Sequence, residues 1–156
     1  MGIAITMEQF LDQNAVTYDL MRHAPTPSSL RTAEASHIPG DRLAKGVLLK
    51  DEAGYLLAVL PATHHIRMAE LEARTNRHLH MAAEPEMQAL FRDCAMGAVP
   101  VMGAAYGMET IIDDSLAAQP DIYFEAGDHE TLVHMDGAEF QRLTAQAPHG
   151  RFSVHD

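Results

Sequence analysis

Ala44-Lys45-Gly46-Val47-Leu48-Leu49, then Lys50-Asp51-Glu52-Ala53-Gly54, then Tyr55-Leu56-Leu57-Ala58-Val59-Leu60, is the stretch that decides the fold. Two apolar runs of strand length flank a polar link ending in glycine, which is the pattern of a β-hairpin. Both arms are apolar on successive residues instead of alternating. Strands of that kind are covered on both faces, so the hairpin is expected at the centre of a sheet.

The flanking elements are shorter and more mixed. Upstream, Met7, Phe10 and Leu11 lie at helical spacing behind Thr6, with Gln9 in the capping-box position, which predicts a helix over 7–15. A strand is predicted over 16–22, a loop at Pro25, Pro27, Ser28 and Ser29, and a short helix from Thr32 that stops before Pro39 and Gly40. Downstream, Met68 and Leu71 fit a helix, 77–81 a short strand, and Met87, Leu90 and Phe91 a helix face starting near Glu84 and Pro85. Between Cys94 and Gly107, the residues Gly97, Pro100, Gly103 and Gly107 occur with little periodicity. That predicts a loop of specified backbone conformation, the kind that often carries a site. Short strands at 110–112, 122–125 and 131–134 follow, then a helix over 137–145 with Phe140 and Leu143 inward. Only 150–156 are expected to be loosely held. Helices and strands interleave without regular alternation, so an α+β fold with a mixed sheet is expected.

Length and composition bound the rest. At 156 residues the chain fits one domain spanning 1–156. Eleven Lys and Arg against 22 Asp and Glu leave a net charge of −11, a field that repels nucleic acid, so any contact with it must be local. Lys45 and Lys50 are the only lysines, and three of the arginines, Arg67, Arg74 and Arg77, fall in one short stretch. A single cysteine, Cys94, excludes an internal disulfide and a multi-cysteine metal site. Residues 1–10 lack the basic start and apolar core of a secretory signal, and no apolar run is long enough to span a bilayer. A cytoplasmic protein without membrane contact is expected.

Three segments together carry a family resemblance: 43–51 with 55–61, the loop Gly97-Ala98-Val99-Pro100 with Gly103, and Asp121-Ile122-Tyr123-Phe124-Glu125-Ala126-Gly127-Asp128-His129. In order and spacing, from about Leu30 to Leu143, the chain resembles the YbaK family. That family includes free-standing prolyl-tRNA editing proteins and the editing domain inserted in bacterial prolyl-tRNA synthetases. The resemblance implies a compact α+β domain with a curved mixed sheet flanked by helices, no metal or other cofactor, and deacylation of mischarged tRNA. It implies that Lys45, Gly97 and His129 serve the reaction. Lys45 would be the signature lysine beside the acylated tRNA end, and His129 the histidine near the amino-acid pocket. Ala98, Val99, Pro100, Gly103 and Leu30 are expected to contact the substrate. The partners implied are the acceptor end of mischarged tRNA and, for delivery, an aminoacyl-tRNA synthetase; a monomer and a homodimer are both compatible. The chain departs from the pattern at Met96, where many members carry glycine, so the accepted amino acid does not follow from the resemblance.

The residue types suit that chemistry. Hydrolysis of an aminoacyl ester needs a positioned water, donors for the carbonyl oxygen as it becomes anionic, and a proton for the departing ribose oxygen. Backbone N–H groups in a rigid loop are already oriented when charge develops. A strand-borne ammonium holds a phosphate or ribose oxygen as a compact charge and positions more than it attacks. Each residue also has a plainer role open to it. Lys45 reads equally as a sheet-edge lysine with its head in water, Gly97 to Pro100 as an ordinary turn, and His129 as an exposed turn residue. Asp113 and Asp114 before Ser115 read as a helix cap. His64 with His65 and His78 with His80 lack the companion ligands of a recognised metal site. Cys94 reads as a small half-buried apolar residue.

Overall fold

A computed structural model describes residues 2–26, 28–95 and 98–156. In chain order the elements are helix α1 (Ile5–Gln13), strand β1 (Asp19–Arg22), helix α2 (Ser29–Ser36), strands β2 (Ala44–Asp51), β3 (Gly54–Pro61) and β4 (His64–Ile66), helix α3 (Met68–Thr75), strand β5 (His80–Met81) and helix α4 (Glu84–Leu90). Strands β6 (Thr110–Asp113), β7 (Asp121–Glu125) and β8 (Thr131–Asp136), helix α5 (Gly137–Leu143), and the short strands β9 (His149–Gly150) and β10 (Ser153–His155) follow.

The quoted hairpin is the spine. β2 and β3 pair from Ala44 opposite Pro61 to Asp51 opposite Gly54, and Asp51 Oδ1 closes the turn by accepting the N–H groups of Ala53 and Gly54 at 2.8 and 3.1 Å. The five-stranded sheet runs β5-β2-β3-β6-β9, antiparallel up to β3 and parallel beyond it. It is mixed, as expected. Both faces of the hairpin are covered, which explains its unbroken apolar runs. Ala44, Leu57 and Val59 pack with Met7, Leu11, Phe91, Ile112, Phe124 and Phe140, whereas Leu49, Leu56, Ala58 and Leu60 pack with Leu71, Leu79, Ile111 and Phe152.

A separate antiparallel sheet, β1-β8-β7, abuts the first through a parallel bridge between Leu43 and Tyr123. A third small cluster, Ala33, Leu43, Ala62 and Leu132, packs α2 over this junction.

Several expectations shift. α1 starts at Ile5, and the Thr6 N–H donates to Asp93 Oδ2 at 2.8 Å, so the helix is capped from a distant loop instead of by a box from Thr6 to Gln9. α2 starts earlier than Thr32, because Ser28 accepts the Arg31 N–H at its N-cap. Strand pairing in 77–81 is limited to His80 and Met81, since Arg77 turns its guanidinium onto Asp51 and Glu109. The largest correction concerns 150–156. β10 pairs with β4, Phe152 is completely buried, and its N–H donates to Asp113 Oδ2 at 3.0 Å. Asp113 also accepts from Ser115 N–H as the anticipated cap. Among the described residues no helix is long and apolar enough to cross a membrane.

Candidate active site

Lys45 lies near the start of β2, opposite Leu60. Its ammonium is half-buried and donates to the Ala62 carbonyl at 3.3 Å. Burial lowers its pKa from the ordinary lysine range, against the pull of Asp156. Among the described residues no carboxylate forms an ion pair with it. Lys50 differs, held by both oxygens of Glu86 at 2.9 and 2.8 Å. An ammonium has three donors and this one uses a single carbonyl, so it retains capacity for oxygens of an incoming anion. A lysine with its head fully in water is not what the fold contains.

The loop and the histidine converge through the backbone. Ala95 N–H donates to the Gly127 carbonyl at 2.6 Å, stitching the chain after Cys94 to the β7–β8 connection that carries His129. Gly127 has φ of +127°, and a Cβ there would come within 2.8 Å of Ala4 Cβ, so glycine permits this close approach. Ala98 and Pro100 are buried and Val99 half-buried, and Ala98 N–H donates to Ala95 O at 3.1 Å. Gly97, expected to be catalytic, lies with Met96 outside the described residues. Cys94 is 5% exposed beside the Tyr106 hydroxyl, and burial pushes its thiol up to about 11, the wrong direction for a nucleophile.

Two expected substrate contacts differ in setting. Leu30 stands in the first turn of α2, three residues before Ala33 and on the same side of the helix, yet it is 43% exposed. Gly103 lines a hollow of about 540 Å³ with Arg74, Arg77 and Thr110, a hollow that neither Lys45 nor His129 borders. A Cβ at Gly103 would collide with the Thr110 hydroxyl, so tight packing there requires glycine.

Two residues escaped the sequence reading. Glu125, the last residue of β7, is 6% exposed, and His23, just after β1, is 8% exposed. His23 Nε2 lies 3.3 Å from Glu125 Oε1, and His23 Nδ1 donates to the Ala24 carbonyl at 2.8 Å. Since Nδ1 carries a hydrogen, a good contact at Nε2 needs one more proton, either on the imidazole or on the carboxyl. Burial raises the Glu125 pKa above the usual carboxylate range, while His23 and His129 oppose that rise. His129 follows at φ of +63°, a left-handed conformation uncommon outside glycine and asparagine. Its Nδ1 is buried without a hydrogen-bond partner among the described residues, 3.9 Å from Glu125 Oε2. The signal available beforehand was a carboxylate directly after the apolar run Ile122-Tyr123-Phe124.

Strand register draws these groups to one side. Beyond the Leu43–Tyr123 bridge, Lys45 and Glu125 each stand two residues along, and strand alternation sends both side chains to the side of Leu43 and Tyr123. α2, bearing Leu30, covers that side through Ala33. By register Lys45 and Glu125 thus share the side that α2 covers, His129 lies beside Glu125, and Gly103 borders a different hollow. Of the other histidines, His64 Nδ1 contacts Ser153 Oγ at 2.8 Å and His65 Nδ1 contacts Asp156 Oδ1 at 2.7 Å.

A family model for the aminoacyl-tRNA editing domain matches residues 23–143, which include Lys45, the 97–103 loop and His129. The chain therefore belongs to the aminoacyl-tRNA editing domain family. Among solved structures it is similar to a candidate trans-editing enzyme for prolyl tRNA synthetase, with a TM-score of 0.83 at 18% identity over 97% of this chain and 96% of that one. A hypothetical protein matches equally well, with a TM-score of 0.83 at 18% identity over 96% and 99%. A candidate signal transduction protein from Marinobacter aquaeolei VT8 gives 0.78 at 24% identity, over 96% of this chain but 30% of that one. At these identities the likeness is one of fold, and it is the expected YbaK-like α+β fold. No curated protein matches the chain.

Proposed function

We propose that residues 1–156 form a single editing domain that acts in trans, in the cytoplasm, hydrolysing the ester between tRNA and a small non-cognate amino acid. The observation that carries this reading is a half-buried ammonium free of any ion pair among the described residues, on a strand whose entry is bridged to the strand that leads into His129, within the family match. Lys45 holds a phosphate or ribose oxygen of the acceptor end. Of the Gly97 to Pro100 loop, the backbone N–H groups other than that of Ala98, which is bonded to the Ala95 carbonyl, receive the carbonyl oxygen as it becomes anionic; loss of one such donor typically costs about 10²-fold in rate. Leu30, Ala98, Val99 and Pro100 bound the space for the amino-acid side chain, and His129 lies at its edge. Gly103 supports this loop through its packing on Thr110. The full-length likeness to a candidate trans-editing enzyme supports action on tRNA already released by a synthetase.

The test is release of amino acid from a panel of tRNAs mischarged with small residues such as alanine, serine and threonine. Turnover on at least one is expected. Folded protein that hydrolyses none refutes the reading. Tight binding of aminoacyl-tRNA without hydrolysis would then identify a recognition module of the same fold, and faster cleavage of small esters or thioesters would identify another hydrolase.

A further inference from the structure

We propose that Glu125 is a positioning residue of this site, one that, braced by His23, fixes His129 in the tautomer with its proton on Nδ1 and so presents a free Nε2 to the substrate. The proposal rests on the deacylase reading for its chemistry but not for its geometry. β7 sends Ile122 and Phe124 into the main core, and Glu125 leaves from the opposite side into a place 6% exposed. A carboxyl is costly to bury there unless partnered, and both of its oxygens face imidazoles. Oε1 faces His23 Nε2 at 3.3 Å, and His23 cannot swing away because its Nδ1 is bonded to Ala24 O. Oε2 is directed to His129 Nδ1 at 3.9 Å.

His129 is the half of the arrangement still incomplete. Its Nδ1 is buried and unpartnered among the described residues, while its side chain is a quarter exposed, so the accessible edge of the ring is the one bearing Nε2. Its left-handed backbone is held by the turn around it, where Asp128 accepts from Glu130 N–H at 2.9 Å and from the Thr131 hydroxyl at 3.0 Å. A buried nitrogen without a partner among the described residues, 3.9 Å from a carboxylate oxygen, has a hydrogen bond still to make. A small approach completes the Nδ1–H to Oε2 bond.

The consequence is a defined proton route. As the water oxygen bonds to the ester carbonyl carbon, Nε2 takes one of its protons. When the bond from that carbon to the ribose oxygen breaks, the same proton passes to the ribose oxygen. The Glu125 carboxylate stabilises the imidazolium in between, and the proton shared with His23 keeps Glu125 in place.

Long-range ¹H–¹⁵N correlation of the histidine rings in the full chain, with His129 assigned from a His129→Gln variant, reads the tautomer without any turnover. Neutral His129 is expected as the Nδ1–H form in the wild type. In Glu125→Gln it shifts toward Nε2–H, and kcat for deacylation falls about 10²-fold while KM stays within about twofold. An Nε2–H tautomer in the wild type overturns the proposal, as does a folded Glu125→Gln protein whose kcat is within about twofold of wild type. If that variant does not fold, the wild-type tautomer decides alone. A protein that cleaves no mischarged tRNA fails the deacylase reading, and the ring spectrum still gives a yes or no on Glu125.

Discussion

Lys45 shows how one side chain can weaken a fold and still be kept. Its folded pKa is below its unfolded one, because burial disfavours the ammonium. The native state therefore holds that proton less tightly than the unfolded chain, and the resulting penalty is present wherever the lysine is charged in both states. It is relieved only as pH rises through the folded pKa. Lys45→Met removes the charge and keeps the stem. We expect a melting temperature within about 2 °C of wild type or higher, with deacylation kcat/KM reduced about tenfold or more. Calorimetry and the mischarged-tRNA assay check the two halves, and a melting temperature lowered by about 10 °C would make Lys45 a structural lysine. Lys45 stood out in the sequence through the family pattern around it; its half-burial against the Ala62 carbonyl, with Asp156 in range, did not, because those groups reach it only through the folded sheet.

Two elements are tied on by side chains rather than by periodicity. α4 is latched to the hairpin by Glu86, whose carboxylate takes Lys50, the Tyr55 hydroxyl at 2.6 Å and the Ala83 N–H at 3.0 Å. These bonds, led by Lys50, hold its carboxyl at about 2. Because the folded pKa is depressed, the latch contributes in full above the unfolded value near 4.5 and is lost as pH falls through about 2. Glu86→Gln is expected to lower the melting temperature by roughly 2 °C at pH 7, with the two proteins converging toward pH 2 in melts across that window. The second such element is β10, with Phe152 before it. Phe152→Ala opens a cavity between Leu71, Ile111 and the hairpin and should destabilise by about 3–5 kcal/mol, or about 10 °C. A loss under about 2 °C would mean that this end of the chain is loosely attached after all. The expectation of a loose end failed because the alternation around Phe152 and Val154 is too short to read as a strand, and the burial of Phe152 depends on α3 and β6 arriving from elsewhere.

At the scale of the molecule, a net charge of −11 sets how tRNA can bind. The surface as a whole repels a polyanion, so under the proposed function the acceptor end is held by few cations around Lys45, and few counterions are released on binding. The KM for mischarged tRNA is expected to rise by about tenfold between 50 and 200 mM salt, the response of two or three phosphate contacts to a single strand. A rise of about 10³-fold in steady-state assays would mean many more phosphate contacts and overturn this reading.

What the sequence determined by itself was the hairpin, the order of the elements and the family. Each depends on neighbours along the chain, where the spacing of apolar residues and glycines acts directly on local geometry. What only the tertiary structure decided was which polar groups became partners: Thr6 with Asp93, Phe152 with Asp113, and Glu125 with His23, 102 residues apart. A residue's type reveals that it can donate, accept or carry charge. Whether it is buried, and against what, is set by the packing of distant elements, as it is for Glu125 between two histidines.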